Sequence, residues 1–197
     1  MRAQIPNPIA SENTTSDSLQ VDSSQYTFIP AKIIRKTINQ PDNYFVIDKG
    51  ERQGVEKDMG VISSNGIVGI VSATTADQAK IITILNRQSN ISVGKSERGV
   101  FNGAFGALEW KDFTDYRHAQ LGAILRHVSL ARGDTIVTTG YSAHFPEGIM
   151  VGTVDTVVLS QSFYNAKIKL SNDLATLKYV YVIQNHKKDQ FQELIGD

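Results

Sequence analysis

Between Tyr26 and Gln184 the apolar residues fall in short β-branched runs bounded by Gly, Asn or Asp. Nowhere do they form a 3.6-residue stripe sustained over three helical turns. "YTFIPAKIIRKTI" (Tyr26–Ile38), "NYFVIDKG" (Asn43–Gly50), "GIVGIVSAT" (Gly66–Thr74), "AKIITIL" (Ala79–Leu85) and "NISVGKS" (Asn90–Ser96) share this texture. So do "DTIVTTG", "IMVGTVDTVVL", "NAKIKLS" and "KYVYVIQ" further on. Short strands at such spacing, with turn signals between them, predict an all-β sandwich or barrels. A hydrophobic share of 41% suffices for a sizeable core, and fifteen glycines against five prolines suit many tight turns.

The strands echo one another. "DMGVISSNGIVGIVSAT" (Asp58–Thr74) and "GDTIVTTGYSAHFPEGIMVGTVDTV" (Gly133–Val157) both read as a strand, a turn and a glycine-bearing strand. Aligning Val61 with Val137 and Gly69 with Gly152 leaves separations of 8 and 15 residues, so the second copy has seven extra residues in its turn. The echo favours two similar small β units over one large sandwich. The expected division is 26–90 for a first barrel domain, open to completion by a later strand, and 91–185 for a second. Residues 1–25, rich in Ser, Thr, Asn and Asp, read as a disordered or partly helical linker, and 186–197 as a tail.

The expanded turn raises the sharpest functional question. Gly140-Tyr-Ser-Ala-His144 falls one residue short of the G-x-S-x-G nucleophile elbow, which would make Ser142 a hydrolase nucleophile with His127 or His144 as base. An elbow requires a strand entering a helix, whereas Phe145-Pro146-Glu147-Gly148 is a turn sequence leading into another strand. A triad is recognised by geometry, so paired barrels keep the hydrolase reading as the alternative. Ser142 and His144 nonetheless sit two apart in one turn, with no evident reason to converge.

Other chemistries fare no better. The chain has no cysteine, which excludes disulfides and thiolate metal sites. His118 and His127 are nine residues apart on different expected elements, with no H-x-H or H-E-x-x-H spacing. "GKSERG" (Gly94–Gly99) lacks the upstream glycine and following helix of a phosphate loop and reads as a β-turn. Twenty basic residues balance twenty acidic ones, so no global field favours nucleic acid. No metal, cofactor or nucleic-acid site is expected. Phe101, Phe105, Trp110 and Phe113 form a denser aromatic group, read mainly as core, with Trp110 a candidate contact residue. Tyr141 and Phe145, aromatics in a turn, are the other candidates for gripping a protein partner.

Three motifs in order carry a family resemblance. "NYFVIDKGERQGVEKDMGVISSNGIVGIV", "VTTGYSAHFPEGIMVGTV" and "IKLSNDLATLKYVYVIQN" resemble the bacterial rod shape-determining MreC family, over Gly50–Val71, Gly133–Val154 and Leu177–Val182. Thr139 stands where the family usually has Ser. The resemblance covers roughly residues 26–185. It implies a non-enzymatic periplasmic scaffold of the cell-elongation machinery, built as two β-barrels and anchored to the inner membrane. The implied partners are the class B penicillin-binding transpeptidase, MreD and the actin-like MreB filament system, with self-association. The transmembrane helix and coiled coil of the family do not appear in the sequence given, and "RAQI" after Met1 resembles a last coiled-coil turn. The implied mechanism is that an edge or apolar face of a rigid barrel grips the transpeptidase and biases it toward an active arrangement.

Overall fold

A computed structural model describes residues 25–97, 100–125, 129–159 and 163–186. The candidate base His127, most of the linker and the tail from 187 onward lie outside the described residues. Twelve antiparallel strands account for nearly all regular structure. They are β1 (Tyr26–Lys36), β2 (Asp42–Ile47), β3 (Gly60–Ser63), β4 (Gly66–Thr74), β5 (Ala79–Asn86) and β6 (Ile91–Glu97), then β7 (Val100–Glu109), β8 (His118–Leu125), β9 (Thr135–Thr138), β10 (Met150–Leu159), β11 (Phe163–Leu170) and β12 (Tyr179–Asn185). The only helical element among the described residues is one 3-10 turn at Glu51–Gln53.

The strands close two six-stranded barrels, the all-β architecture expected. Around the first the order is β12-β3-β4-β5-β2-β1, and around the second β6-β9-β10-β11-β8-β7. The two cycles match strand for strand, so β3/β4 and β9/β10, the echoing stretches, hold equivalent places. The sequence alignment is off by one: Gly69 faces Val61, but Gly152 faces Ile136, because a bulge between Met150 and Gly152 shifts the register. Gly94–Ser96, which the sequence places both at the end of a strand and at the start of a turn, belong to strand β6.

Period-two patterning builds each core. Asn43, Phe45 and Ile47 point inward from β2 while Tyr44 and Val46 do not, and Val180 and Val182 do the same from β12. Phe45, Ile81 and Val71 lie in one row across β2, β5 and β4, all fully buried. Each such side chain contributes about 1.5–3 kcal/mol by leaving water. The buried asparagines Asn43 and Asn86 are held by partners. Asn43 donates Nδ2 to the Leu85 carbonyl at 2.8 Å, and Asn86 donates back to the Asn43 carbonyl at 2.8 Å. Closure pairs every strand on both sides, which removes the free edge as a means of gripping a partner. The faces remain.

Candidate protein-interaction surface

The β3–β4 connection is two residues long, whereas β9 and β10 are joined by residues 139–149. This long turn is fastened to its own barrel through Thr138. The Thr138 hydroxyl donates to the Pro146 carbonyl at 2.6 Å and accepts from the Ile149 amide at 2.9 Å. Gly140 takes φ +74°, a left-handed conformation that a side chain would strain. So secured, the turn reaches the other barrel. His144 Nδ1 donates to the Asp58 backbone carbonyl at 2.6 Å, and Phe145 is buried against Gly60.

Among the described residues, which exclude His127, that geometry supplies no hydrolase machinery to Ser142. The turn enters a strand rather than a helix, and the ring of His144 is engaged with Asp58. Among the described residues, no imidazole or carboxylate is hydrogen-bonded to Ser142. The one Asp–His pair among the described residues lies elsewhere: His118 Nδ1 contacts Asp115 Oδ2 at 2.9 Å, and Lys167 Nζ reaches the same oxygen at 2.8 Å. Burial pushes the Asp115 carboxyl up, yet hydrogen bonds from Lys167, His118 and the Arg117 amide hold it well below the usual carboxylate range. No group of three potential metal ligands occurs among the described residues.

Of the three aromatic contact candidates, the structure presents one to solvent. Tyr141 is 66% exposed. Phe145 is 3% exposed because the turn folds it into the joint between the barrels. Trp110 is 2% exposed, with Nε1 donating to the Asp115 carbonyl at 2.9 Å. Both of those rings are used internally, a correction to their reading as contact residues. Tyr141 does not stand alone. Phe101, Phe105 and Tyr141 meet edge to face in all three pairings, at centroid distances of 5.3–6.5 Å. Phe105 faces Gly94 across the strand pair, so no side chain projects toward it from that position of β6. Its 52% exposure overturns the core reading of that ring.

A second apolar face, which the sequence reading did not single out, lies on the first barrel. Pro30 and Ile62 flank Tyr181 from the strands on either side, and Lys32 lies opposite Tyr179. Phe28, Tyr179 and Tyr181 are all exposed on this outer face, Tyr179 at 63%. The signal was present in the alternation of "YVYV": if the valines point inward, both tyrosines must point out.

The family model for the barrel core of the rod shape-determining protein MreC matches residues 33–184. The chain is 29% identical over 175 residues to the cell shape-determining protein MreC of Listeria monocytogenes, covering 85% of this chain and 58% of that protein. It is 30% identical over 175 residues to the Bacillus subtilis protein of that name, covering 80% and 57%. The chain thus spans little more than half the length of these relatives. A Listeria monocytogenes MreC structure superposes with a TM-score of 0.73 at 27% identity, over 81% of this chain and 76% of that one. MreC from Helicobacter pylori, solved in complex with the penicillin-binding protein PBP2, shares the fold with a TM-score of 0.65 at 17% identity. That match covers 82% of this chain and 99% of the other.

Proposed function

The chain belongs to the MreC family of rod shape-determining proteins, and from that premise we propose that it is a non-enzymatic scaffold that docks a class B penicillin-binding transpeptidase. It works in the periplasm, held at the inner membrane, alongside MreD and the MreB filament system, and it self-associates. The observation that carries the docking reading is the exposed aromatic face of β1 and β12, formed by Phe28, Tyr179 and Tyr181. Tyrosine on a rigid strand offers large contact area at little entropic cost, which is why it is enriched at binding hot spots. A closed barrel offers no edge for strand addition, so side-chain faces must do the binding. Tyr141, with Phe101 and Phe105, supplies a second contact face. The Helicobacter pylori complex supports a penicillin-binding partner by likeness of fold.

Activation follows if the scaffold binds the active arrangement of the transpeptidase more tightly than the inactive one. A coupling of about 1–3 kcal/mol shifts that balance roughly 5- to 150-fold. The deciding experiment is calorimetric titration of the class B transpeptidase from the same cells with this chain. Tyr179→Ala/Tyr181→Ala should weaken binding at least tenfold, Tyr141→Ala should weaken it less, and Ser142→Ala should leave it unchanged. Wild-type binding that persists in the double tyrosine variant would remove the β1–β12 face from the interface.

A further inference from the structure

The described strands divide into two runs of the same order, β1 to β6 and β7 to β12, and each run sends its last strand into the other barrel. β6 follows β5 of the first barrel but sits in the second, and β12 follows β11 of the second but closes the first. The chain therefore crosses between the barrels twice, over residues 87–90 and 171–178. Two covalent crossings restrict rotation far more than the single linker of a hinged domain pair.

At two glycines the barrels approach backbone to backbone. A β-carbon on Gly60 would stand 2.1 Å from the His144 carbonyl oxygen, and one on Gly66, at φ +136°, would stand 2.1 Å from that of Met150. Asp58, whose carbonyl receives His144 Nδ1, is the one described non-glycine residue with positive φ, at 66°. Backbone held in that region costs energy and persists only where its surroundings impose it.

The second crossing carries a rivet made of two consecutive residues. Ser171 binds the second barrel, its amide and its hydroxyl both reaching the Val151 carbonyl at 3.0 and 3.1 Å. Asn172, 3% exposed, binds the first barrel with both ends of its amide. Nδ2 donates to the Ile67 carbonyl at 2.8 Å, and the Ser63 hydroxyl donates to Oδ1 at 2.5 Å. Loss of this side chain would leave the Ile67 carbonyl and the Ser63 hydroxyl buried with fewer partners, and the joint could relieve that only by opening to water.

We propose that the two barrels form one rigid body and that Asn172 is the residue that locks the joint. A locked joint holds the Tyr179/Tyr181 face and the Tyr141 face at one fixed spacing, so a partner large enough to touch both meets a single preformed surface. The lock itself is independent of which partner docks.

The absence of cysteine allows two spin labels to be placed cleanly. Ala76→Cys, in the β4–β5 turn of the first barrel, and Ala131→Cys, before β9 in the second, replace exposed alanines. Electron–electron resonance on the labelled full chain should give one narrow distance distribution. Asn172→Ala should broaden or split it while circular dichroism retains the β signal, and Ser63→Ala should broaden it less. A broad distribution in the parent protein, or a narrow one surviving Asn172→Ala, would overturn the proposal. Should Asn172→Ala fail to fold, Ser63→Ala decides the matter alone: an unchanged narrow distribution there also overturns it.

Discussion

The ring of Phe145 lies against Gly60 so closely that a β-carbon on the glycine would stand 2.9 Å from its Cδ1. The long turn of one barrel is thus fitted to the one residue type the other can offer at that point. Gly60→Ala has no cheap escape, because the nearest obstacle is the backbone carbonyl of His144 rather than a side-chain tip. Overpacking that forces backbone apart costs about 1–3 kcal/mol, and the buried site places this change at the upper end. A thermal melt should show a drop of several degrees. An unchanged melting temperature would mean that the barrels do not meet here in solution.

The first barrel depends on the far end of the chain. Val180 and Val182 are buried in it, and Tyr26 pairs with Asn185. A chain ending at Lys178 would lose those two side chains, worth about 1.5–3 kcal/mol each, and would expose the edges of β1 and β3. Limited proteolysis should then cut within residues 25–86 while the second barrel resists. Equal resistance of both barrels would show that the first closes without β12.

How far this was legible in the sequence differs from residue to residue. Inward and outward faces could be read wherever alternation was regular, as in "NYFVI" of β2. All-β character and the strand–turn–strand identity of the Ser142 region were equally plain, since Pro146 and Gly148 forbid a continuing helix. Phe145 was not legible, because nothing local distinguishes a turn aromatic that meets solvent from one that meets another barrel. Phe105 was misread for a related reason. An aromatic in a strand is assigned to the core by type, while the face it takes depends on register, here opposite Gly94. The sequence leaves the first barrel open to completion by a later strand, but that β12 is the strand is a long-range matter that no window of sequence records.

Thr83 is fully buried, and its hydroxyl has no hydrogen-bond partner among the described residues. A buried hydroxyl without a partner carries its desolvation cost uncompensated. Thr83→Val keeps the shape, faces the same Gly69 across the strand pair, and removes the polar atom. Stability should rise by about 1 kcal/mol, and the melting temperature by roughly 2–4 °C for a chain of this size. A fall on this substitution would reveal a partner for the hydroxyl.

Asp115 gives the fold an acid limit. Burial alone would raise its carboxyl, but Lys167, His118 and the Arg117 amide together depress it. A carboxyl lowered on folding contributes stability that is present above its unfolded value, about 3.9 for Asp, and is lost as pH falls toward the folded value. Asp115→Asn keeps an acceptor for some of these donors yet loses the charge that draws Lys167 to 2.8 Å. At pH 7 the variant should be less stable by about 1 kcal/mol, a figure discounted for the residual exposure of the pair. Below about pH 4 the wild-type carboxylate begins to protonate in the unfolded state, so the gap between the two melting temperatures should narrow steadily with further acid. Melts of both proteins between pH 7 and pH 2 test this directly. A gap that stays constant over that range would mean that the Asp115 charge is not what holds this end of the second barrel together.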